Sequence, residues 1–454
     1  MGKVSGFAAV LFGLIGNVLA LGQAAESDLD IAFGGNPYPG ASSVLFDADG
    51  STLEDRGLLV AAHSTGYVMA GMVNTLAGGA DIGLTRLNAS GAVDTAFGAS
   101  GKRVIALDLV QAGIDMPTSQ AIDSQGRIVI GVQASNGAGL VPIVLRLTSN
   151  GNLDTSFDGD GIRQISDLSY NFFGGAEVAI GANDSVYVGV PAQLTSGGNR
   201  LVYLTQISNT GAIVSGFGSA GKTTIAVPGA AAVSVNQLAV WNTVVVYCGG
   251  VSTGSNADWL IGAISTQGTN PQQAIVAVSD TPTPDFGNNV CHAVVPSRFV
   301  SRVYFAGAAR VGSANGAAVL ARNAQLAVDP DFSGDGEASF VVSPSAITVS
   351  VHGMIERSNT KLLFVGSYAD ATNGGDAFAG QLLNQGVLDS DFHPTGFRTY
   401  AGFGTAGRTE HFGSVVEVGP QPVLAGAAQF SGNDYDFLAV RLALPTELFA
   451  NGFE

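Results

Sequence analysis

The chain has 454 residues, a net charge of −17, 12% charged residues, 46% apolar residues and 63 glycines. A disordered chain would be rich in charge and poor in apolar residues, so this composition excludes disorder and favours a tightly turned all-β protein. Nucleic acid and anionic membrane surfaces attract clustered Lys and Arg. The 19 Lys and Arg residues form no basic run, which argues against both as partners.

The first 25 residues have the pattern of a secretory signal peptide. Lys3 precedes an apolar stretch over residues 7–21, and small residues at 22–25 suit cleavage near that point. A membrane anchor is the alternative, but glycines and Asn17 dilute a stretch already shorter than the roughly 20 apolar residues of a spanning helix. We therefore expect an exported protein that is secreted, periplasmic or on the surface of a Gram-negative bacterium, with no membrane span in the mature chain.

An insertion over residues 37–55 is acidic in its second half. Asp47, Asp49, Glu54 and Asp55 place oxygen ligands at short spacing, as at the start of a calcium-binding loop. Such acids also form Asx turns at hairpin ends, and this group does not complete a calcium loop with its final bidentate glutamate. The insertion is a candidate binding loop, and calcium is its candidate cofactor.

Seven short apolar runs each rise to a glycine, and this repeat is the main feature of the sequence. The second unit shows its content: residues 101–107 read as one strand, 120–131 as a hairpin and 143–147 as another strand. A constant period with four short strands per unit predicts a seven-bladed β-propeller with four-stranded antiparallel blades. The glycines lie 58 to 60 residues apart, at Gly71, Gly131, Gly189, Gly249, Gly307, Gly366 and Gly426.

A second motif, Leu-Asp-x-x-Phe-Gly-x-x-Gly, marks the junction between units. We expect its phenylalanine to be buried between sheets, the aspartate three residues earlier to cap the turn, and the last glycine to have a positive φ. Val214 replaces the aspartate in the fourth copy, and the copy expected near residue 274 is missing. The phenylalanines are Phe33, Phe97, Phe157, Phe217, Phe332 and Phe392.

The two ends of the repeat region complete each other. The last unit ends over residues 436–442 without its junction motif, while an orphan copy stands at residues 29–34. A ring whose N-terminal segment completes the last blade leaves no free sheet edge, whereas an open solenoid would need polar caps at both ends. We expect one domain over residues 26–444, closed by pairing of its terminal segments, and a short tail over residues 445–454.

The junction motif resembles that of the delta-60 repeat family of bacterial exported proteins, and the resemblance covers residues 28–442. It implies a β-propeller and leaves the activity open, because the family has no known function. The ending Phe449-Ala-Asn-Gly-Phe-Glu454 is similar to a short F-x-x-G-F-E tail on some exported proteins of Gram-negative bacteria.

Two apparent catalytic motifs are better explained by the repeat. Residues 216–223 match the phosphate-loop pattern G-x-x-x-x-G-K-[ST], but the chain continues as a strand where a phosphate loop needs a helix N-terminus. Residues 250–254 match G-x-S-x-G, a motif that needs a strand-to-helix elbow to expose its serine, and the matching position in other units is a loop. Neither motif predicts a catalytic or nucleotide site.

Two cysteines and three histidines are the remaining site candidates. Cys248 and Cys291 lie in neighbouring units, where they either form a disulfide or stay buried as free thiols. His292 and His352 occupy matching places in consecutive units, and His411 lies two positions further out on the same strand face, so the three imidazoles could converge at the axial mouth as a zinc or copper site. The alternative is three partly exposed histidines that bind no metal.

The sequence alone leaves three functions open. Loops on a rigid frame often carry recognition, which favours a binding or scaffold module for a protein, a glycan or an envelope component. The alternatives are an extracellular metal-assisted hydrolase or lyase that uses the axial pocket, and a surface structural or adhesive protein. We expect a monomer and assign no catalytic residue.

Overall fold

The computed structural model describes residues 25–35, 38–46, 54–75, 79–254, 256–277, 289–370, 374–403, 409–431 and 434–443. The predicted signal peptide before residue 25, Asp47 and Asp49 of the acidic insertion, and the predicted tail lie outside these ranges. Within them, no helical segment has the length and hydropathy that a membrane span requires.

Short strands make up most of the described chain. The first fourteen are β1 Ala41–Val44, β2 Asp55–His63, β3 Gly66–Asn74, β4 Ala80–Asn88, β5 Lys102–Ile105, β6 Asp115–Ile122, β7 Ile128–Ser135, β8 Leu140–Leu147, β9 Ile162–Gln164, β10 Tyr170–Phe172, β11 Glu177–Ile180, β12 Val186–Leu194, β13 Arg200–Ile207 and β14 Lys222–Val227. A single-turn 3-10 helix, Ala182–Asp184, lies between β11 and β12.

The remaining strands continue the same pattern. They are β15 Ala232–Val233, β16 Gln237–Trp241, β17 Val244–Thr253, β18 Asn256–Ser265, β19 Gln272–Val276, β20 Cys291–Pro296, β21 Val303–Val311, β22 Ala314–Arg322, β23 Glu337–Phe340, β24 Ala346–Glu356, β25 Leu362–Asp370, β26 Gly374–Leu382, β27 Phe397–Tyr400, β28 Glu410–Val418, β29 Gln421–Ser431 and β30 Asp434–Arg441.

Seven small antiparallel sheets form a ring, which confirms the seven-bladed β-propeller. Blades 1 to 6 are β2–β5, β6–β9, β10–β14, β15–β19, β20–β23 and β24–β27, and blade 7 combines β28–β30 with β1. In blades 3 and 4, two short segments share the place of the innermost strand and pair with the same neighbour. Apolar clusters fill the space between adjacent blades, as between blades 1 and 2.

The blades are offset from the units of the sequence. The strand predicted over residues 101–107 is β5, and it pairs with β4 as the outermost strand of blade 1. Residues 115–122 then form the innermost strand of blade 2. The chain enters each new blade at the axis, so a repeat counted from the junction motif begins with the last strand of the previous blade.

The N-terminal segment closes the ring, as the half-copies of the repeat predict. Strand β1 pairs with β30 from Ala41 opposite Val440 to Val44 opposite Phe437, so it is the outermost strand of blade 7. Leu29 forms a further bridge with Leu442. Every blade therefore has its fourth strand, and the edge of blade 7 is covered.

An arginine, which the sequence motif does not contain, joins the Asp and Phe of the junction motif. In blade 2 the Arg146 Nε donates to Asp154 at 2.8 Å, and the guanidinium lies 4.7 Å from the ring centre of Phe157. The same arginine also donates to the backbone oxygen of Asn209 in blade 3. The ion pair and the cation–π contact orient the arginine within blade 2, and its hydrogen bond to Asn209 joins that blade to blade 3. We call this Arg–Asp–Phe set the inter-blade clamp.

The clamp recurs around the ring and includes the closure. Its other complete copies are Arg86 with Asp94 and Phe97, Arg302 with Asp329 and Phe332, and Arg441 with Asp30 and Phe33. The predicted roles within the motif are confirmed. The six phenylalanines are at most 1% exposed, the Asp94 side chain accepts from the Ala96 amide, and Gly101 has a φ of 92°.

Candidate functional site

A cavity of about 820 Å³ lies on the propeller axis. The innermost strands of all seven blades contribute to its wall: β2, β6, β11, β16, β20, β24 and β28. A cavity of this volume falls in the range of about 300–1,000 Å³ that is usual for small-molecule sites. The axis is therefore the candidate ligand site of the described chain.

β-Bulges present side chains to this cavity. Five innermost strands carry a register shift that leaves one extra residue opposite the second strand: Leu58, Thr118, His292, His352 and Gly413. A bulge redirects the side chain at the extra position, so alternation along the strand does not predict which way it faces. All five bulge residues line the cavity. Glu177 in blade 3 and Asn236 in blade 4 line it as well.

The three predicted histidines line this same cavity. The rings of His292 and His352 lie 5.5 Å apart between centres, and His352 Nε2 is 3.3 Å from the Ser367 hydroxyl. Burial lowers the pKa of His292 to about 3, of His352 to about 4 and of His411 to about 3. All three imidazoles are therefore neutral near pH 7 and can both donate and accept a hydrogen bond.

The histidines share a cavity without forming a metal centre in the described structure. Among the residues it describes, no group of three or more His, Cys, Asp or Glu side chains is placed to hold a metal ion. The convergence that a zinc or copper site requires is not present there. The transition-metal site stays a prediction from the sequence.

Glu177 is the acidic group of the cavity wall, and the sequence did not single it out. The residue is only 5% exposed, and burial raises the pKa of its carboxyl group well above the ordinary value, against a smaller opposing effect of the nearby Thr118 and Ser119 side chains. Its Oε2 atom has no hydrogen-bond partner among the described residues. Burial thus favours the protonated form of this carboxyl group, and its buried Oε2 atom is left without a protein partner in the described structure.

The wall around Glu177 is rigid. The hydroxyls of Thr118 and Ser119 donate to the Ala176 oxygen at 2.8 and 3.0 Å, and the Val178 amide donates to the Ser119 hydroxyl at 2.9 Å. These bonds join blade 2 to blade 3. Gln120 donates from Nε2 to the Val68 oxygen at 3.3 Å, while its own Oε1 has no partner in the described structure.

The predicted calcium ligands are only partly described. Glu54 pairs with Arg56, which also lines the cavity, and the Asp55 carboxylate accepts from the Asn74 amide at 3.2 Å. Asp55 is 2% exposed. Both described carboxylates already bind protein groups, and Asp47 and Asp49 lie outside the described residues, so the calcium site stays a prediction.

The two cysteines lie together behind the cavity wall. Cys248 in β17 and Cys291 in β20 are free thiols with no exposed surface that belong to one apolar cluster, and the Cys291 thiol donates to the Ala293 oxygen at 3.5 Å. Burial raises the pKa of Cys248 well above the ordinary value. The two cysteines are therefore neighbours in the fold, and the disulfide stays a prediction.

One sequence signal could have found the cavity residues that were missed. Thr118, Glu177 and Asn236 stand 12 or 13 residues before the repeat glycines of their blades, and the two bulge histidines stand 14 or 15 before theirs. When the units are aligned on the innermost strand, these positions fall close together. Without the structure, nothing marks this position of the repeat as the one that faces the axis.

A family model described as "Domain of unknown function (DUF5122) beta-propeller" matches residues 124–157. The match spans β7, β8 and the junction motif of blade 2. It agrees with a propeller repeat, and the delta-60 resemblance itself stays a prediction. No curated protein matches the chain.

Several solved structures resemble the chain at low identity. An α-L-arabinofuranosidase from Fusarium graminearum is 10% identical, with 71% of this chain and 92% of that chain covered and a TM-score of 0.42. A sialidase from Trypanosoma rangeli is 9% identical, with 89% and 60% covered and a TM-score of 0.44. A polysaccharide lyase is 10% identical, with 86% and 90% covered and a TM-score of 0.49. Likenesses this weak carry no argument about activity.

The neutral histidines predict a pH dependence of stability. An unfolded chain binds protons on these imidazoles below about pH 6.5, whereas the folded chain binds them only near pH 3 to 4. The free energy of unfolding should therefore fall as the pH falls from about 6.5 to 4. The clamp carboxylates of Asp30 and Asp154 have pKa values lowered from 3.8, so their protonation reduces the stability only at a lower pH.

Chemical denaturation of the His352→Gln variant between pH 7 and pH 4 measures this effect. The variant should lose less stability than the wild type over that range, while His393→Gln, in an exposed turn, should follow the wild type. Glu177, whose pKa is raised by burial, lowers the free energy of unfolding as the pH rises above 4.5. It does so in all three proteins, so the difference between their stability curves isolates the effect of His352. Parallel curves for all three would refute the assignment.

Proposed function

We propose that the protein is a binding module whose axial cavity takes a neutral, hydroxyl-rich ligand, such as a segment of a glycan. One observation carries this proposal. The cavity wall carries hydroxyl, amide and neutral imidazole groups and a carboxyl group whose pKa burial raises, and two buried oxygen atoms of that wall, on Gln120 and Glu177, lack a protein partner among the described residues. Buried polar atoms without partners are costly unless a ligand or water satisfies them.

The lining favours a sugar over a charged ligand. Arg56 brings a positive charge to the wall, but Glu54 pairs with it and Tyr435 lies 4.6 Å below its guanidinium. Apolar side chains such as Met116 and Met354 alternate with the polar ones. Hydroxyl groups match the neutral donors and acceptors, and the C–H faces of a sugar ring match the apolar side chains.

Binding is better supported than hydrolysis. Glycoside hydrolysis ordinarily uses two carboxyl groups on either side of the scissile bond. Glu177 is the single carboxylic acid among the described lining residues, and metal-assisted hydrolysis would need a cluster that those residues do not provide. The insertion over residues 37–55 is less well supported as the binding site, because residues 36–37 and 47–53 lie outside the described ranges.

Calorimetric titration with a panel of neutral oligosaccharides tests the proposal. We expect one saccharide class to bind the wild type and the Glu177→Ala variant to bind it about tenfold more weakly, the effect of one lost hydrogen bond. Glu337→Gln, on the outer strand β23, is the matched control and should bind as the wild type does. Equal affinity of the wild type and Glu177→Ala, or no binding by any saccharide in the panel, would contradict the proposal.

A further inference from the structure

The junction between blades 4 and 5 has no inter-blade clamp among the residues that the structure describes. In blade 3 the chain passes from the turn after β13 through the motif that carries Phe217 before it enters β14. In blade 4 it passes from the turn at Thr266 to β19 at Gln272 with no motif between them. Within the described ranges, this junction therefore has no Asp, Phe and Arg set of the kind found at the junctions of blades 1 and 2 and of blades 2 and 3.

In blade 5 a leucine fills the space that the missing phenylalanine would occupy. In other blades a glycine in the turn after the third strand leaves room for the ring of the preceding blade, as Gly151 does for Phe97 and Gly268 for Phe217. Blade 5 has Leu326 at this place, with a φ of 61°. Its side chain packs on the apolar cluster between blades 4 and 5. Leucine thus replaces the ring, but it cannot replace the ion pair or the hydrogen bond.

The two thiols lie at this same junction. Cys248 belongs to the second strand of blade 4, and Cys291 to the innermost strand of blade 5. They are the only cysteines of the chain, both belong to the cluster that Leu326 completes, and the Asn236 backbone amide donates to the Cys248 oxygen at 2.8 Å. Asn236 of blade 4 donates to the Cys291 oxygen at 2.8 Å and holds the two strands in place.

We propose that Cys248 and Cys291 form a disulfide that covalently joins blade 4 to blade 5, at a junction that lacks both the clamp and the motif phenylalanine in the described structure. One thiol loses a proton and attacks a sulfur of an oxidising disulfide, such as glutathione disulfide, and the first reduced thiol leaves. The second cysteine thiolate then attacks the mixed disulfide and displaces the second reduced thiol. Two protons and two electrons pass from the cysteines to the oxidant.

The bond forms before the ring closes. In the folded protein both sulfurs are inaccessible, and burial raises the pKa of Cys248, so the thiolate that starts the exchange is neither exposed nor populated. Protein folded under reducing conditions should therefore keep both thiols when glutathione disulfide is added later. Protein refolded from denaturant in the presence of glutathione disulfide should contain the bond.

Intact mass and non-reducing peptide mapping of these two preparations measure the bond, and thermal unfolding measures its effect. We expect the oxidised protein to lose two hydrogens, to give one peptide that links Cys248 to Cys291, and to melt about 4 °C above the reduced protein. The comparison uses the wild type in both states, so it does not depend on the folding of a variant. A Cys248→Ala/Cys291→Ala variant should melt at the same temperature under both conditions.

Two results would overturn the proposal. One is full alkylation of both cysteines in denaturant after oxidative refolding, which would show that no bond forms. The other is a bond that leaves the melting temperature of the wild type unchanged, which would show that it does not stabilise the junction.

Discussion

A chain that begins after residue 46 is expected to lose the cooperative unfolding of the ring. This truncation removes β1 and leaves β30 as an exposed edge. It also removes Phe33, Val44 and Phe46, which are at most 6% exposed, and burial of three such side chains contributes about 5–9 kcal/mol. The net stability of a domain is about 5–15 kcal/mol, so this loss is comparable with the whole.

The truncation also breaks the ionic contacts of the closure. Asp30 binds Arg441 at 2.7 Å, and Glu26 lies between Arg357 at 2.6 Å and Lys361 at 3.0 Å. Differential scanning calorimetry and circular dichroism of the truncated chain measure the effect. A chain that begins at residue 25 is the control and should unfold in one transition.

A peptide of residues 25–46 provides a second arm of this experiment. When added to the truncated chain, it should bind as the missing strand and restore part of the thermal transition, because β1 pairs through backbone hydrogen bonds to a preformed edge. If the truncated chain melts as the control does, the ring does not depend on its N-terminal strand.

The Arg146→Ala substitution is expected to destabilise the protein by about 3–5 kcal/mol, the usual effect of removing one partner of a buried ion pair. The side chains of Arg146 and Asp154 are 1% and 12% exposed. The substitution also leaves the Asn209 oxygen of the next blade without its donor and removes the cation above Phe157. Denaturant-induced unfolding should show the loss as a lower midpoint.

The chain contains its own compensating pair for this substitution. At the corresponding places blade 3 has Gln206 and Val214, so it has lost the arginine and the aspartate together while keeping Phe217 buried. The Arg146→Gln/Asp154→Val double variant should therefore be more stable than Arg146→Ala, because no charge is left buried without a partner.

Arg163→Ala is the matched control for the clamp. Arg163 and Asp158 form an ion pair with side chains 28% and 30% exposed, and pairs of that kind contribute about 0–1 kcal/mol. If Arg146→Ala and Arg163→Ala have equal effects, the clamp contributes no more than a surface ion pair does.

The junction motif shows where inference from the sequence reaches its limit. Aspartate capping, the buried phenylalanine and the positive φ of glycine act within one turn, so their spacing is repeated along the chain and is visible there. The arginine of the clamp lies on another strand, and its source varies. In blade 5 the third strand has Ala321 at the place of Arg146. Arg302, directly before the neighbouring strand β21, binds the corresponding aspartate, Asp329, instead. A contact formed through space permits such an exchange and leaves no fixed spacing.

The candidate site shows the same limit. The matching positions of His292 and His352, and that of His411 two residues further out on the same strand face, predicted neighbouring places in consecutive blades, and the three histidines do line one cavity. Glu177 was missed because a single acidic residue at the start of a short strand looks like an ordinary surface residue. Its burial and raised pKa come from the blades on both sides of it.

By itself the sequence determined the number of blades, their four strands and the closure of the ring, because these follow from periodicity and from the half-copies at its two ends. The tertiary structure alone decided which side chains face the axis, because the bulges at residues such as Thr118 and His292 override the alternation of a regular strand. It also decided that the two thiols meet, since 43 residues separate them along the chain and only the packing of blade 4 on blade 5 brings them into contact.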